Sequence, residues 1–188
     1  MIAGMVIIDF SGWRDSEKLI QGAERMETAL RLARADAANL GRRLRLDFEE
    51  ETGRCLILWE PKPLEEPGEF TDYAKVSTWT GRMPTELVRV NLCRLTGPSA
   101  YQTLNLEEMP MADSDQPELE AVTFYPDGSS DSAIIELSGT VESETRRVVI
   151  ELDGANGTIT RHVFYDDEEL EEYYEQLYEE QLPEAMNE

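Results

Sequence analysis

A single histidine, His162, is the one imidazole in this chain of 188 residues, so general acid–base chemistry near neutral pH would have to run through it. It alternates with Thr160 and Phe164 in a strand-like pattern. A serine or cysteine nucleophile needs a positioned base, and the G-x-S-x-G nucleophile elbow is absent from the sequence. His162 is therefore expected to be a strand histidine with a satisfied hydrogen bond, and no catalytic residue is assigned. Metal chemistry fares no better, because neither a C-x-x-C pair nor an H-E-x-x-H helix occurs. Asp113 and Asp115, or Asp127 beside Gly128, offer oxygen ligands for calcium, but the twelve-residue calcium loop is missing and an ordinary acidic turn is expected instead. No glycine-rich phosphate cradle is found, and neither metal nor cofactor is expected.

Two cysteines, Cys55 and Cys93, are too few for a disulfide framework. Each sits in an apolar, strand-like run, so buried free thiols are expected. One bridge is the alternative in an oxidising compartment.

The charge balance narrows the partners. Forty acidic residues face 17 basic ones, for a net charge of −23, which repels nucleic acid and anionic membrane surfaces. From Asp166 to Glu188 there are eleven acidic and no basic residues. Such an end is read as a solvating tail, helical in part. Arg31, Arg34, Arg42, Arg43 and Arg45 form the one basic cluster. With this net charge they are expected to pair with carboxylates rather than phosphates, and no nucleic-acid partner is expected.

The elements that would position these residues begin with a long helix over about Glu17 to Leu40. Leu19, Ala23, Met26, Leu30, Ala33, Ala37 and Leu40 recur at spacings of four and three, a narrow apolar stripe. Asp15 or Ser16 can cap its start and Gly41 follows its end. Glu24, Arg25, Glu27, Arg31, Arg34 and Asp36 occupy the other faces, which are read as solvated or facing polar neighbours. Strands are then expected at Leu44 to Phe48, Cys55 to Trp59, Val76 to Thr80, Leu87 to Leu95, Val122 to Tyr125, Ala133 to Leu137, Arg147 to Leu152 and Thr158 to Tyr165. Glu51-Thr52-Gly53 makes the first pair a hairpin, and Pro61, Pro63 and Pro67 with Gly68 break the pattern into a loop. Thr96 to Glu120 reads as a long loop. The later strands suggest an antiparallel meander. A second helix is expected over Asp167 to Gln181, with Leu170, Tyr174 and Leu177 on one face.

The expected fold class is α+β, a long N-terminal α-helix packed on antiparallel β-sheet with an acidic C-terminal helix or tail. The organisation reads as a helix over 1–41, a β globular domain over 42–165 and an acidic tail over 166–188.

Three blocks resemble one family. Glu24 to Gly53, "ERMETALRLARADAANLGRRLRLDFEEETG", resembles the GspH/FimT minor pseudopilins and pilins, in which an Ala, Leu and Arg-rich helix ends at Gly and enters an R-x-x-L-x-F strand. "FYPDGSSDSAIIELSG", Phe124 to Gly139, resembles the family's F-x-P-D-G turn and its strand. "RRVVIELDGANGTIT", Arg146 to Thr160, resembles its closing G-x-x-G hairpin. The resemblance spans about two thirds of the chain. The prepilin cleavage signature is missing, and Met1 to Ile8 looks like the last turns of a longer hydrophobic run: either its start is truncated or membrane insertion is lost. Met1 to Ile8 alone is shorter than the roughly 20 residues a membrane span needs.

The resemblance implies a non-catalytic minor pseudopilin of a type II secretion pseudopilus. The full-length form would be anchored in the bacterial inner membrane by its N-terminal helix, with the globular domain in the periplasm. Its implied partners are other pseudopilin or pilin subunits, the inner membrane and secreted cargo. Ile2, Met5, Val6, Ile7, Ile8, Leu19, Ala23 and Met26 are expected to face neighbouring subunits. Leu30, Ala33, Ala37 and Leu40 are expected to pack on the chain's own sheet. Phe124, Pro126, Asp127 and Gly128 form the family turn motif. The runner-up is a type IV pilus minor pilin of the FimT kind, serving assembly or DNA uptake, which would need a basic C-terminal segment. A hydrolase or ligand-binding domain would need a concave polar pocket around His162.

Overall fold

A computed structural model describes residues 11–49, 52–73, 79–80, 87–96, 119–141 and 144–181, with side chains from 17 to 177 within these. Ile2, Met5, Val6, Ile7 and Ile8 lie outside the described residues, as do Asp113, Asp115, most of the strand expected at Val76 to Thr80 and nearly all of the loop expected at Thr96 to Glu120.

Helix α1 runs from Ser11 to Leu40, starting earlier than the expected caps, and no proline interrupts the run. Its end is set by a glycine. Gly41 takes a left-handed φ of 62°, and the Arg42 amide donates back to the Ala37 carbonyl at 3.2 Å, the closure that a C-terminal glycine permits. The chain then reverses into β1 (Leu44–Glu49).

Strand β1 pairs antiparallel with β2 (Arg54–Trp59), from Leu44 opposite Trp59 to Glu49 opposite Arg54. The other strands are β3 (Thr71–Asp72), β4 (Val88–Leu95), β5 (Val122–Phe124), β6 (Ala133–Gly139), β7 (Arg147–Leu152) and β8 (Ile159–Phe164). Helix α2 (Asp167–Gln181) ends the described chain.

The strands do not form one meander. They divide into a first sheet in the order β3-β2-β1-β5 and a second in the order β4-β6-β7-β8. The chain changes sheet between β5 and β6, and buried Asp131 fixes the place. Its carboxylate accepts the Thr123 amide at 2.8 Å and the Tyr125 hydroxyl at 2.9 Å, while its own amide donates to the Thr123 carbonyl. Turn spacing announces strands but says nothing about which sheet each one joins.

Helix α1 fills the space between the sheets. Leu19, Ala23, Met26, Leu30, Ala33 and Ala37 share one apolar cluster with Leu44, Leu46, Phe48, Val122 and Phe124 of the first sheet and Val90, Ile135, Leu137, Val148 and Ile150 of the second. This corrects the expected division of the stripe. Leu19, Ala23 and Met26 are fully buried within this chain, so they are core residues and not a surface for neighbours. The reason is reach: the sheets cover the helix back to Leu19, about twenty residues before its end. Gly22 there lies so close to Val88 that a β-carbon would meet its Cγ1 at 2.2 Å. At the other end Leu40 is 42% exposed, because Gly41 turns the chain away one residue later.

The acidic end is also more than a solvated tail. Over 167–177 it is a docked helix. Leu170, Tyr173, Tyr174 and Leu177 cover Ile134, Val149 and Phe164 on the side of the second sheet away from α1. Asp166 caps the helix through the Glu169 amide at 2.9 Å, and Asp167, Glu168 and Glu169 lie in its first turn, where negative charge suits the helix dipole.

Candidate functional site

His162 lies on β8 with its ring against Tyr173 and Phe164, centroids 5.3 and 6.3 Å away. Its Nε2 is 2.8 Å from Glu151 Oε1, but off the hydrogen-bonding direction, and it makes no hydrogen bond among the described residues. The same Glu151 Oε1 accepts the Tyr173 hydroxyl at 2.5 Å. Burial first, and then that carboxylate, push the Tyr173 phenol well above its ordinary pKa, so it stays a donor. The three groups fasten α2 to the sheet. A groove of about 460 Å³ opens nearby between Ser132, Asp153, Thr158 and Leu177, with Glu151 but not His162 in its described lining. Asp153 is engaged within its own turn, accepting from Ala155 and Asn156.

Among the described residues no three histidine, cysteine or acidic side chains converge to hold a metal ion. Both cysteines are free and buried. Burial pushes the Cys55 thiol up to about 12. Cys93 is raised well above its ordinary value by burial and then by the Glu120 charge. Neither offers a thiolate.

The polar side chains that matter hold α1 in place. Arg34 donates from Nε to the Gly128 carbonyl and from a terminal nitrogen to the Ala155 carbonyl at 3.5 Å. One guanidinium thus gathers the β5–β6 turn and the β7–β8 turn, the two motifs that resembled the family. In the first, Phe124 is fully buried and Gly128 takes φ 84°. Asp127 accepts the Ser129 hydroxyl at 2.6 Å and amide at 2.9 Å, bonds that hold its carboxyl below the usual range. Pro126 opens that turn, where its fixed φ is suited. In the second turn, Gly157 has φ 72° and a β-carbon there would fall 1.0 Å from the Arg34 guanidinium. A β-carbon at Gly154 would lie 1.9 Å from the Ser130 carbonyl oxygen, so these glycines permit close approach.

Asp36 makes a second clamp, accepting the Tyr73 hydroxyl at 2.9 Å and the Trp79 indole N–H at 2.7 Å. Arg161 of β8 reaches Glu27 at 3.2 Å. Three members of the basic cluster pair with carboxylates: Arg31 with Glu27, Arg45 with Asp47, and Arg43 with fully buried Glu60. Arg34 departs from the expected carboxylate pairing because its partners are backbone carbonyls. Sequence reading assigned Arg34 and Asp36 to polar faces. Their partners stand 37 to 121 residues away, and no local spacing marks them.

This architecture is a helix clasped by two antiparallel sheets, fastened by polar clamps and lacking a reactive cluster among the described residues. The chain belongs to the family of type II transport protein GspH, whose model matches residues 22–154, and is by that membership a minor pseudopilin of type II secretion. Two solved structures of the minor pseudopilin EpsH from the type II secretion system of Vibrio cholerae are similar to it. One has TM-score 0.48 and 13% identity over 77% of this chain and 96% of that one. The other has TM-score 0.45 and 16% identity over 78% and 94%. No curated protein matches the chain. Nothing in these comparisons favours the type IV pilus alternative.

Proposed function

We propose that this chain is a non-catalytic structural subunit that joins other pseudopilins through α1 and the segment preceding it. The observation that carries this reading is that the family match begins within α1, continues through the β5–β6 turn and ends at Gly154, at the start of the β7–β8 turn. In this reading Ile2, Met5, Val6, Ile7 and Ile8 face neighbouring subunits, the full-length form is held in the bacterial inner membrane, and the sheets project into the periplasm, where secreted cargo is met. Among the described residues no helix is long and apolar enough to cross a membrane, so anchoring is assigned to the segment before α1. The domain reading divides the helix of 1–41 from the sheets of 42–165, although six residues of the stripe are shared core.

The test separates folding from assembly. Ile7→Asp is expected to leave the circular dichroism and melting temperature of the purified chain unchanged and to abolish its incorporation into filaments in a secreting cell. A variant that melts in isolation, or that assembles and supports secretion normally, refutes the assignment.

A further inference from the structure

The loop between β2 and β3 is built with unusual care for a segment that supports no core. None of residues 61–70 belongs to either apolar cluster. Its base is nevertheless closed by Glu60, a carboxylate with no solvent exposure. Glu60 accepts two N–H donors of Arg43 at 2.6 and 2.5 Å and the Gly68 amide at 2.7 Å, which ties the two ends of the loop together. The Arg43 bonds hold its carboxyl below the ordinary range despite burial. Pro61, Pro63 and Pro67 restrict the backbone between these ends. The Lys62 carbonyl accepts the Glu65 and Glu66 amides at 3.1 and 2.9 Å, forming a tight turn.

At the crest of this turn stands Leu64, 96% exposed. Among the described residues the next most exposed large hydrophobics are Tyr165 at 65%, Leu56 at 43% and Leu40 at 42%. Glu65, Glu66 and Glu69 surround the crest, with Lys62 at 3.3 Å from Glu65 and 3.9 Å from Glu66, so the rim is net negative. A preorganised, projecting aliphatic side chain loses little entropy when it enters a pocket, and single buried anchors dominate many interfaces.

We propose that Leu64 is the anchor by which this chain docks a different filament subunit, entering an apolar pocket rimmed by Lys or Arg. The proposal rests on the reading of the chain as a filament subunit. A second copy is the wrong partner, because its surface would bring more carboxylates to an acidic rim on a chain of net charge −23.

The full chain, produced with the other subunits of its secretion system, is tested with photoreactive benzoylphenylalanine at position 64 or, as a control, at position 56. Adducts with a different pseudopilin are expected from 64 and not from 56. Leu64→Ser is expected to keep the wild-type melting temperature and to weaken binding to that subunit's purified periplasmic domain by about tenfold or more. The pair E65K/E66K is expected to weaken it further at low salt than at high salt. Adducts from 56 alone, adducts to a second copy, or wild-type binding by Leu64→Ser overturn the proposal. A wild-type chain that never enters the filament overturns the functional reading as well. A Leu64→Ser chain that assembles as well as wild type overturns the anchor alone.

Discussion

The two sheets solve the same problem differently. The second, β4-β6-β7-β8, has α1 on one face and α2 on the other, and its central strands are apolar almost without interruption: Ala133, Ile134 and Ile135 in β6, and Val148, Val149 and Ile150 in β7, are all buried. The first, β3-β2-β1-β5, has α1 on one face and, among the described residues, no helix on the other. Its strand β1 alternates buried Leu44, Leu46 and Phe48 with half-buried Arg45 and Asp47, and Leu56 of β2 stands out on the uncovered side. Apolar continuity marks a strand covered twice, and alternation a strand covered once. Among the described residues the first sheet thus leaves one face without a helix over it, while the second has a helix on each face.

The largest expected effect lies where both sheets meet. Leu30, 1% exposed between them, is replaced by a charge in Leu30→Asp. An unpaired buried carboxylate costs more than the few kcal/mol of net stability a domain has to spare, so loss of the folded circular dichroism spectrum is expected. A folded Leu30→Asp chain would break the shared-core account.

Next comes the polar staple of the first sheet. Breaking one side of a buried ion pair costs about 3 kcal/mol, so Glu60→Gln is expected to lower stability by that order in urea titrations. The pH dependence has a definite sign. Glu60 binds its proton more weakly when folded than its ordinary value of 4.5. Its contribution is thus fully present above about 4.5 and is lost as pH falls through the lower, folded value. Wild type should lose this increment on acidification, and Glu60→Gln should lack it. Parallel acid profiles would contradict the assignment.

The smallest effects sharpen the contrast between covered and uncovered faces. Val149→Ser, under α2, is expected to cost about 2 kcal/mol. Leu56→Ser, on the open face, should stay within about 0.5 kcal/mol of wild type. Equal costs in thermal or urea unfolding would mean that both sheets are covered alike.

Much of this was legible in residue order. The four-and-three spacing of α1, the alternation of β1 and the glycine-bearing turns led to the helix, the first hairpin and the family. The stripe from Leu19 to Met26 could not be apportioned, because periodicity reveals that a face is buried and not what buries it. The docking of α2 had a signal that went unused: the VVI of β7 and the AII of β6 require apolar cover on both sides. Arg34 and Asp36 had none, since a guanidinium bound to carbonyls and a carboxylate bound to distant aromatic donors look like ordinary surface charge in one dimension.

The grip of Arg34 on two turns has a mechanical corollary. Gly128 lies in the turn that leads from the first sheet to the second and Ala155 in a turn within the second, yet both hang from one side chain on α1. A pull along the axis of that rod is shared between the two halves at once, and twisting it strains both turns together. In a filament subunit of the kind proposed, such a coupling would make the helix a keyed shaft rather than a free rod.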